Sequence, residues 1–309
     1  MATPNDAPTG WIAPRPAWPV ILGAGFLLWA ATVVVTFVTA NPNLLPTIVL
    51  LGSFLVPVTF ASWAYERGHG AHVTAELLFL CFVVGGLLGV LGASLLEAYL
   101  VRPSPLMYIG VGVIEEAVKL AALMVVAQRM AHRGARDGMV LGAAVGLGFA
   151  AFESAGYAMT SLVSRSGLDL VALVETEILR GLITPVGHGV WTAILGGVVF
   201  AASPRGRWRF SVAALVTFLG VALLHGLWNS VHGIAIVLTL VLTGDMWQTR
   251  LLSVGYLPEL TPAQAHLSTA LDWTGLVIVA AVGVLWLTLL AAGNRHTPGT
   301  QGDSGHTTE

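Results

Sequence analysis

Three charged residues, Glu115, Glu116 and Lys119, fall within five positions of one another inside the apolar stretch Leu106–Ala127. An ionisable side chain at bilayer depth is costly, so it is a functional-site hypothesis by default. On a helix Lys119 lies four residues from Glu115 and three from Glu116, and either carboxylate can reach its ammonium. Adjacent residues diverge by about 100° around the axis, so one carboxylate can face the lysine while the other faces a cavity. Three further apolar stretches carry polar residues. One holds Phe152-Glu153, with Tyr157 a turn later. The next holds Pro185-Val186-Gly187-His188 and, beyond it, Trp191. The last holds His225, Trp228, Asn229 and His232, spaced i, i+3, i+4, i+7 as a single helical stripe. A carboxylate held partly ionised by Lys119 can act as a general base on water. A histidine from another helix can orient that water. His225 and Asn229, a turn apart, can donate to a developing oxyanion. This is equipment for hydrolysing a peptide bond without a covalent intermediate. The same groups can hold a metal, since two histidines and a glutamate form a zinc set. Neither a His-Glu-x-x-His nor a Gly-x-Ser-x-Gly motif is present.

The elements that must position these residues are membrane spans. Of 309 residues, 56% are hydrophobic and 10% charged, against about 25% charged in soluble domains, and the mean hydropathy is +0.81. No basic patch with interleaved aromatics is present, which argues against nucleic acid as a partner. The single cysteine, Cys81, excludes an intrachain disulfide and a multi-cysteine zinc site. Apolar runs of spanning length read at about 18–40, 44–65, 75–100, 106–127, 138–163, 182–202, 210–233 (extending to 242) and 273–292. The fold expected is an all-α polytopic bundle of about eight spans, with a polar active-site cavity in the outer half of the membrane. Residues 1–16 and 294–309 read as disordered tails around an integral-membrane domain at 17–293. The first run is too long for a signal h-region and reads as an uncleaved span. The loop 245–272 reads as the site of a short interfacial helix and as a cap over the cavity mouth.

Charge sets the orientation. With eight spans and both termini inside, the inner segments hold nine arginines (15, 67, 129, 133, 136, 205, 207, 209 and 295) and the outer ones four (102, 165, 180 and 250). That supports cytoplasmic termini in a plasma-membrane protein. Under this topology Glu115, Glu153, His188 and His225 each fall roughly 8–14 Å below the outer face, in one slab. Small residues recur every fourth position at Gly138, Gly142, Gly146, Ala150 and Ser154, and glycines cluster at 85, 86, 89 and 92. These stripes let helices approach closely in lipid.

The motifs resemble the PrsW-type intramembrane proteases, related to the CAAX prenyl endopeptidases and Abi-type membrane proteins. The pattern is Glu115-Glu116-x-x-Lys119, Phe152-Glu153-x-x-x-Tyr157, Arg180 with His188, then His225-x-x-Trp228-Asn229, in that order, between residues 115 and 229. Some members carry a third glutamate where this chain has Ile114, which leaves open which of Glu115 and Glu116 is the base. The resemblance implies an endopeptidase that cleaves membrane-anchored proteins near the outer face, in the manner of regulated proteolysis of an anti-sigma factor. It implies Glu115 and Glu116 as the base, His188 as an aid to water activation, and His225 with Asn229 as the oxyanion hole. Lys119, Glu153, Tyr157, Trp228 and Arg180 would support them. No metal ligand is assigned; a divalent metal such as zinc, if used, would fall to Glu116, His188 and His225.

Each feature has a structural reading beside the catalytic one. Glu115, Glu116 and Lys119 can be a buried ion pair that fixes packing, although two acids for one base is a poor structural solution. The histidines, Glu153 and Tyr157 can be interhelical glue. Arg180 can snorkel to the interface, and His232 sits a turn away from the set. At the level of function, the alternatives are a proton-coupled transporter, which uses the same side chains, and a catalytically silent scaffold. The transporter would favour internal repeats, and none is visible.

Overall fold

The computed structural model describes residues 16–68, 72–104, 106–164 and 167–294. Both expected tails lie almost wholly outside the described residues, as does His69. Among these described residues ten α-helices follow one another: α1 (Trp18–Thr39), α2 (Leu45–Gly68), α3 (Ala75–Leu100), α4 (Met107–Val126), α5 (Ala135–Leu162), α6 (Leu170–Ile183), α7 (His188–Ala202), α8 (Val212–Thr243), α9 (Met246–Ser253) and α10 (Pro262–Gly293). A two-residue hairpin, Val163–Ser164 paired with Gly167–Leu168, joins α5 to α6. The starts carry local signals. Thr74, Asp169, Ser211 and Thr261 each accept a first-turn backbone N–H, which satisfies donors the helix cannot.

The chain is an all-α multi-pass membrane bundle. Among the described residues, seven segments are long and apolar enough to cross a bilayer: α1, the 42–67 segment that takes in all of α2 but its last residue, α3, α5, the 170–202 segment, α8 and α10. The eighth expected span is α4, only 20 residues long and carrying three charges. Two boundaries differ from the sequence reading. The sixth segment begins at Leu170, not Leu182, and is broken at Thr184–Gly187 into α6 and α7. Pro185 supplies no N–H within that turn. Glu175, Glu177 and Arg180 dilute the hydropathy of α6 and hide it from an average. The last helix begins at Pro262, eleven residues before Trp273, so the 245–272 loop contracts to α9 and a short connection. Gln248 and Gln264 pin that connection, exchanging two side-chain hydrogen bonds of 3.0 and 2.9 Å.

α5 lies at the centre, packed by α2, α3, α6 and α7. Its small-residue stripe is the reason. A Cβ at Gly138, Gly142 or Gly146 would collide with the backbone oxygens of Gly196, Thr192 and His188 on α7. The two backbones can lie this close only because these three positions carry no side chain. Gly148 meets the Phe82 carbonyl of α3 in the same way. α1 and α10 lie at the periphery, α1 on α2 and α10 on α8 and α7.

Candidate active site

Two close helix seams set the geometry. The α5/α7 seam carries Gly146 against His188 and Gly142 against Thr192, which fixes the start of α7 beside Phe149 and Glu153. On α4, a Cβ at Gly112 would strike the Ala222 carbonyl of α8, and one at Gly226 would strike Ile109 of α4. His225, next to Gly226, is therefore held against Glu115 and Glu116, one turn along from Gly112.

The side chains meet in one cluster. The Lys119 ammonium lies 2.6 Å from Glu116 Oε1, 3.4 Å from Glu115 Oε2 and 2.9 Å from His188 Nδ1, and sits over the Phe149 ring at 4.3 Å. His225 Nδ1 lies 2.9 Å from the same Glu116 oxygen. Thr192 Oγ1 donates to the other Glu116 oxygen at 3.4 Å. Glu116 and His225 are wholly buried, and Glu116 has three partners. Glu115 is different: its nearest polar neighbours are Lys119 at 3.4 Å, His225 Nε2 at 3.6 Å and His188 Nδ1 at 3.9 Å. His225 Nε2 is buried without a hydrogen-bond partner. Because an anionic Glu116 takes the Nδ1–H, neutral His225 presents a lone pair at Nε2 towards Glu115.

His188 uses both ring nitrogens. Nδ1 accepts from Lys119, and Nε2 lies 3.2 Å from Glu153 Oε2. Arg180 on α6 donates to that same Glu153 oxygen and, through Nε, to Ser154 Oγ at 2.7 Å; its guanidinium lies over the Tyr157 ring. Arg180 thus joins the cluster and does not merely snorkel. Side-chain exposure rises from zero at Glu116 to 6% at Glu115, 9% at His188 and 21% at Glu153, so the Glu153 edge is the open one. Trp191 packs on both histidines, and Trp228 packs edge-on against Trp191. Asn229, one turn from His225, is half-buried, and its amide makes no hydrogen bond among the described residues. His232 stands apart, exposed beside Asp272 on α10.

The donors fit a divalent metal in kind. Atoms of Glu115, His188 and His225 lie within 4.8 Å of one another, two imidazoles and a carboxylate form a zinc set, and the orphaned Nε2 of His225 is a ligand atom without a bond. The carboxylate in this group is Glu115, where the sequence reading named Glu116; Glu116 is already taken by Lys119, His225 and Thr192. Sequence reading also missed Thr192, Phe149 and Ser154. The first two look like ordinary span residues, and only Ser154, in the small-residue stripe, left a trace.

Five helices, α4 to α8, thus bring together inside an all-α membrane bundle carboxylates, imidazoles, a lysine and an arginine, the side-chain types that can activate water or hold a metal. The model of the PrsW family of intramembrane metalloproteases matches residues 74–256, a range that includes the whole cluster, and the chain belongs to that family. It is a multi-pass membrane protease whose substrate is a membrane protein. No curated protein and no solved structure matches the chain.

Proposed function

We propose that the protein is an endopeptidase that cleaves membrane-anchored proteins near the outer membrane face, with Glu115 as the carboxylate that activates water. The observation that carries this reading is the unequal environment of the two adjacent glutamates. Glu116 spends both oxygens on Lys119, His225 and Thr192. Glu115 keeps only long contacts and faces the free Nε2 of His225. A water between Glu115 Oε2 and His225 Nε2 would give hydrogen bonds to both acceptors. As its oxygen attacks the scissile carbonyl, Glu115 takes the proton, and the free Asn229 amide is a donor for the oxyanion. With Nδ1–H committed to Glu116, His225 acts as acceptor or ligand, and the oxyanion role falls to Asn229. Glu153 and Arg180 fix the His188 tautomer, with Nε2–H towards Glu153 and Nδ1 towards Lys119. Were a divalent metal such as zinc bound, Glu115, His188 and His225 would hold it, with His188 Nδ1 exchanging its Lys119 hydrogen bond for the metal and Glu115 serving as a ligand in place of the base; the metal would supply carbonyl polarisation and a more acidic water.

The family resemblance makes an anti-sigma factor the leading substrate. The clustering of Arg129, Arg133, Arg136, Arg205, Arg207 and Arg209 at one end of the bundle, where Arg133 N–H bonds Pro204 O, supports cytoplasmic termini in a plasma membrane.

The test compares protein N-termini in membrane and secreted fractions of two cultures under envelope stress, one with wild type and one with Glu115→Gln and Glu116→Gln together. New termini close to the outer face of single-span proteins, present only with wild type, are expected. Identical sets, with both proteins folded, would sink the reading.

A further inference from the structure

Two cavities away from the polar cluster share a wall. One, about 730 Å³, opens where α5 begins and is edged by Arg133, Arg136, Pro204 and Asn294. The other, about 210 Å³, runs on along α5 and α7 between α2 and α10, over Phe60, Trp63, Leu147, Val190 and Leu287. Met139, Val140 and Ala291 line both, so the two are adjoining parts of one cleft. From Gly134 to Leu147 it follows α5 for thirteen residues, ~20 Å, against the ~15 Å depth of one leaflet.

Its two ends differ in chemistry. The mouth is cationic. Arg136 is exposed and makes no ion pair or side-chain hydrogen bond among the described residues. Arg133 is 4% exposed, its guanidinium held by the Gly206 carbonyl at 2.8 Å, by the Ser203 and Gln128 carbonyls at 3.4 Å and by the Trp208 ring, with a buried Nε that has no partner. Arg67 stands at the α2 side, its guanidinium over Trp63. The one acid of the first α5 turn, Asp137, accepts the Gly134 N–H and does not line the cleft. The depth is apolar and ends at Pro185, Gly189 and Val190, the residues that flank His188.

We propose that this cleft binds an anionic phospholipid, its phosphate at the exposed Arg136 with the buried Arg133 adding positive charge behind it, and one acyl chain along the Phe60–Leu147 wall. A free phosphate has no use for the apolar depth, and a zwitterionic lipid gains less from the arginines. Basic pockets between transmembrane helices at the headgroup level suit this ligand class. The site is separate from the Glu115 cluster and does not depend on its chemistry.

The test is thermal melting of the full-length protein, delipidated in neutral detergent. Dioleoyl-phosphatidylglycerol, dioleoyl-phosphatidylcholine and inorganic phosphate are each titrated. Phosphatidylglycerol is expected to raise the midpoint at several-fold lower concentration than phosphatidylcholine, and phosphate to leave it unchanged. Arg136→Gln should weaken the phosphatidylglycerol response about five-fold and spare the phosphatidylcholine response. Ala291→Trp, which fills the shared wall, should remove both. Equal responses to the two lipids in wild type, a phosphatidylglycerol response unchanged in Arg136→Gln, or a shift reproduced by phosphate alone would each overturn the proposal. Arg136→Gln decides the matter even where Ala291→Trp proves unstable.

Discussion

The α5/α7 seam and the outer helices α1 and α10 are all long and apolar, yet they hold their neighbours by different means. In the two helices of the seam, Leu141, Ala144 and Val145 on α5 and Ile194 and Leu195 on α7 are fully buried, and glycines bring the two backbones together. On the periphery, Leu27, Val38, Val277 and Leu289 are more than half exposed, as suits residues that face lipid. Glycine shows the contrast most directly. A Cβ at Gly142 would strike the Thr192 carbonyl, whereas one at Gly23 on α1 would meet nothing within 4 Å. Lipid is as apolar as leucine, so burying leucine does not by itself draw two membrane helices together; close packing of small residues does. The seam serves the site because two of its contact residues, His188 and Thr192, also belong to the cluster.

This contrast can be broken at its strongest point first. Gly142→Leu should leave no properly folded protein, since a backbone oxygen cannot move aside as a side chain can. Size-exclusion profile and protease sensitivity in detergent would show it, and a wild-type-like profile would refute the close seam. Arg180→Gln comes next. It leaves Glu153 without its cation beside His188, and cleavage of a membrane-anchored reporter should fall about ten- to a hundred-fold, the range seen when a ligand's orienting partner is lost. A lowered melting point with unchanged cleavage would reduce Arg180 to helix glue. Thr192→Val removes one long hydrogen bond to Glu116 and should cost about 1 kcal/mol in denaturant unfolding. Gly23→Ala on the periphery should be neutral or stabilising by about 0.5–1 kcal/mol, the ordinary helix preference for alanine. A destabilisation there would show that α1 packs more tightly than its open surface suggests.

The sequence made much of this legible. Charged and polar residues in apolar runs marked the four stretches that supply the cluster, one of which the structure divides into α6 and α7, because lipid leaves so few reasons for them. The order of the motifs pointed to the family, and the four-residue stripe from Gly138 marked the central seam. Three things were not legible. The break at Thr184–Gly187 and the start of α10 at Pro262 lie where hydropathy averages blur, since α6 mixes Glu175, Glu177 and Arg180 with leucines. Thr192 and Phe149 are commonplace span residues, and only the α5/α7 register shows that they touch Glu116 and Lys119. The division between Glu115 and Glu116 depends on which helix each faces, and two neighbouring letters in a sequence carry no such information.

That division is the central claim, and two single substitutions test it most directly. Glu115→Gln and Glu116→Gln would be reconstituted separately with a membrane-anchored reporter, and cleavage rate and unfolding would be measured on the same samples. The account predicts that Glu115→Gln lowers cleavage by about 10²–10⁴-fold while the melting point stays near wild type. Glu116→Gln, which leaves a buried lysine short of its closest partner, should cost about 3–5 kcal/mol of stability. Near-normal cleavage in folded Glu115→Gln, or a Glu116→Gln protein that is fully stable and wholly inactive, would contradict it and make Glu116 the base.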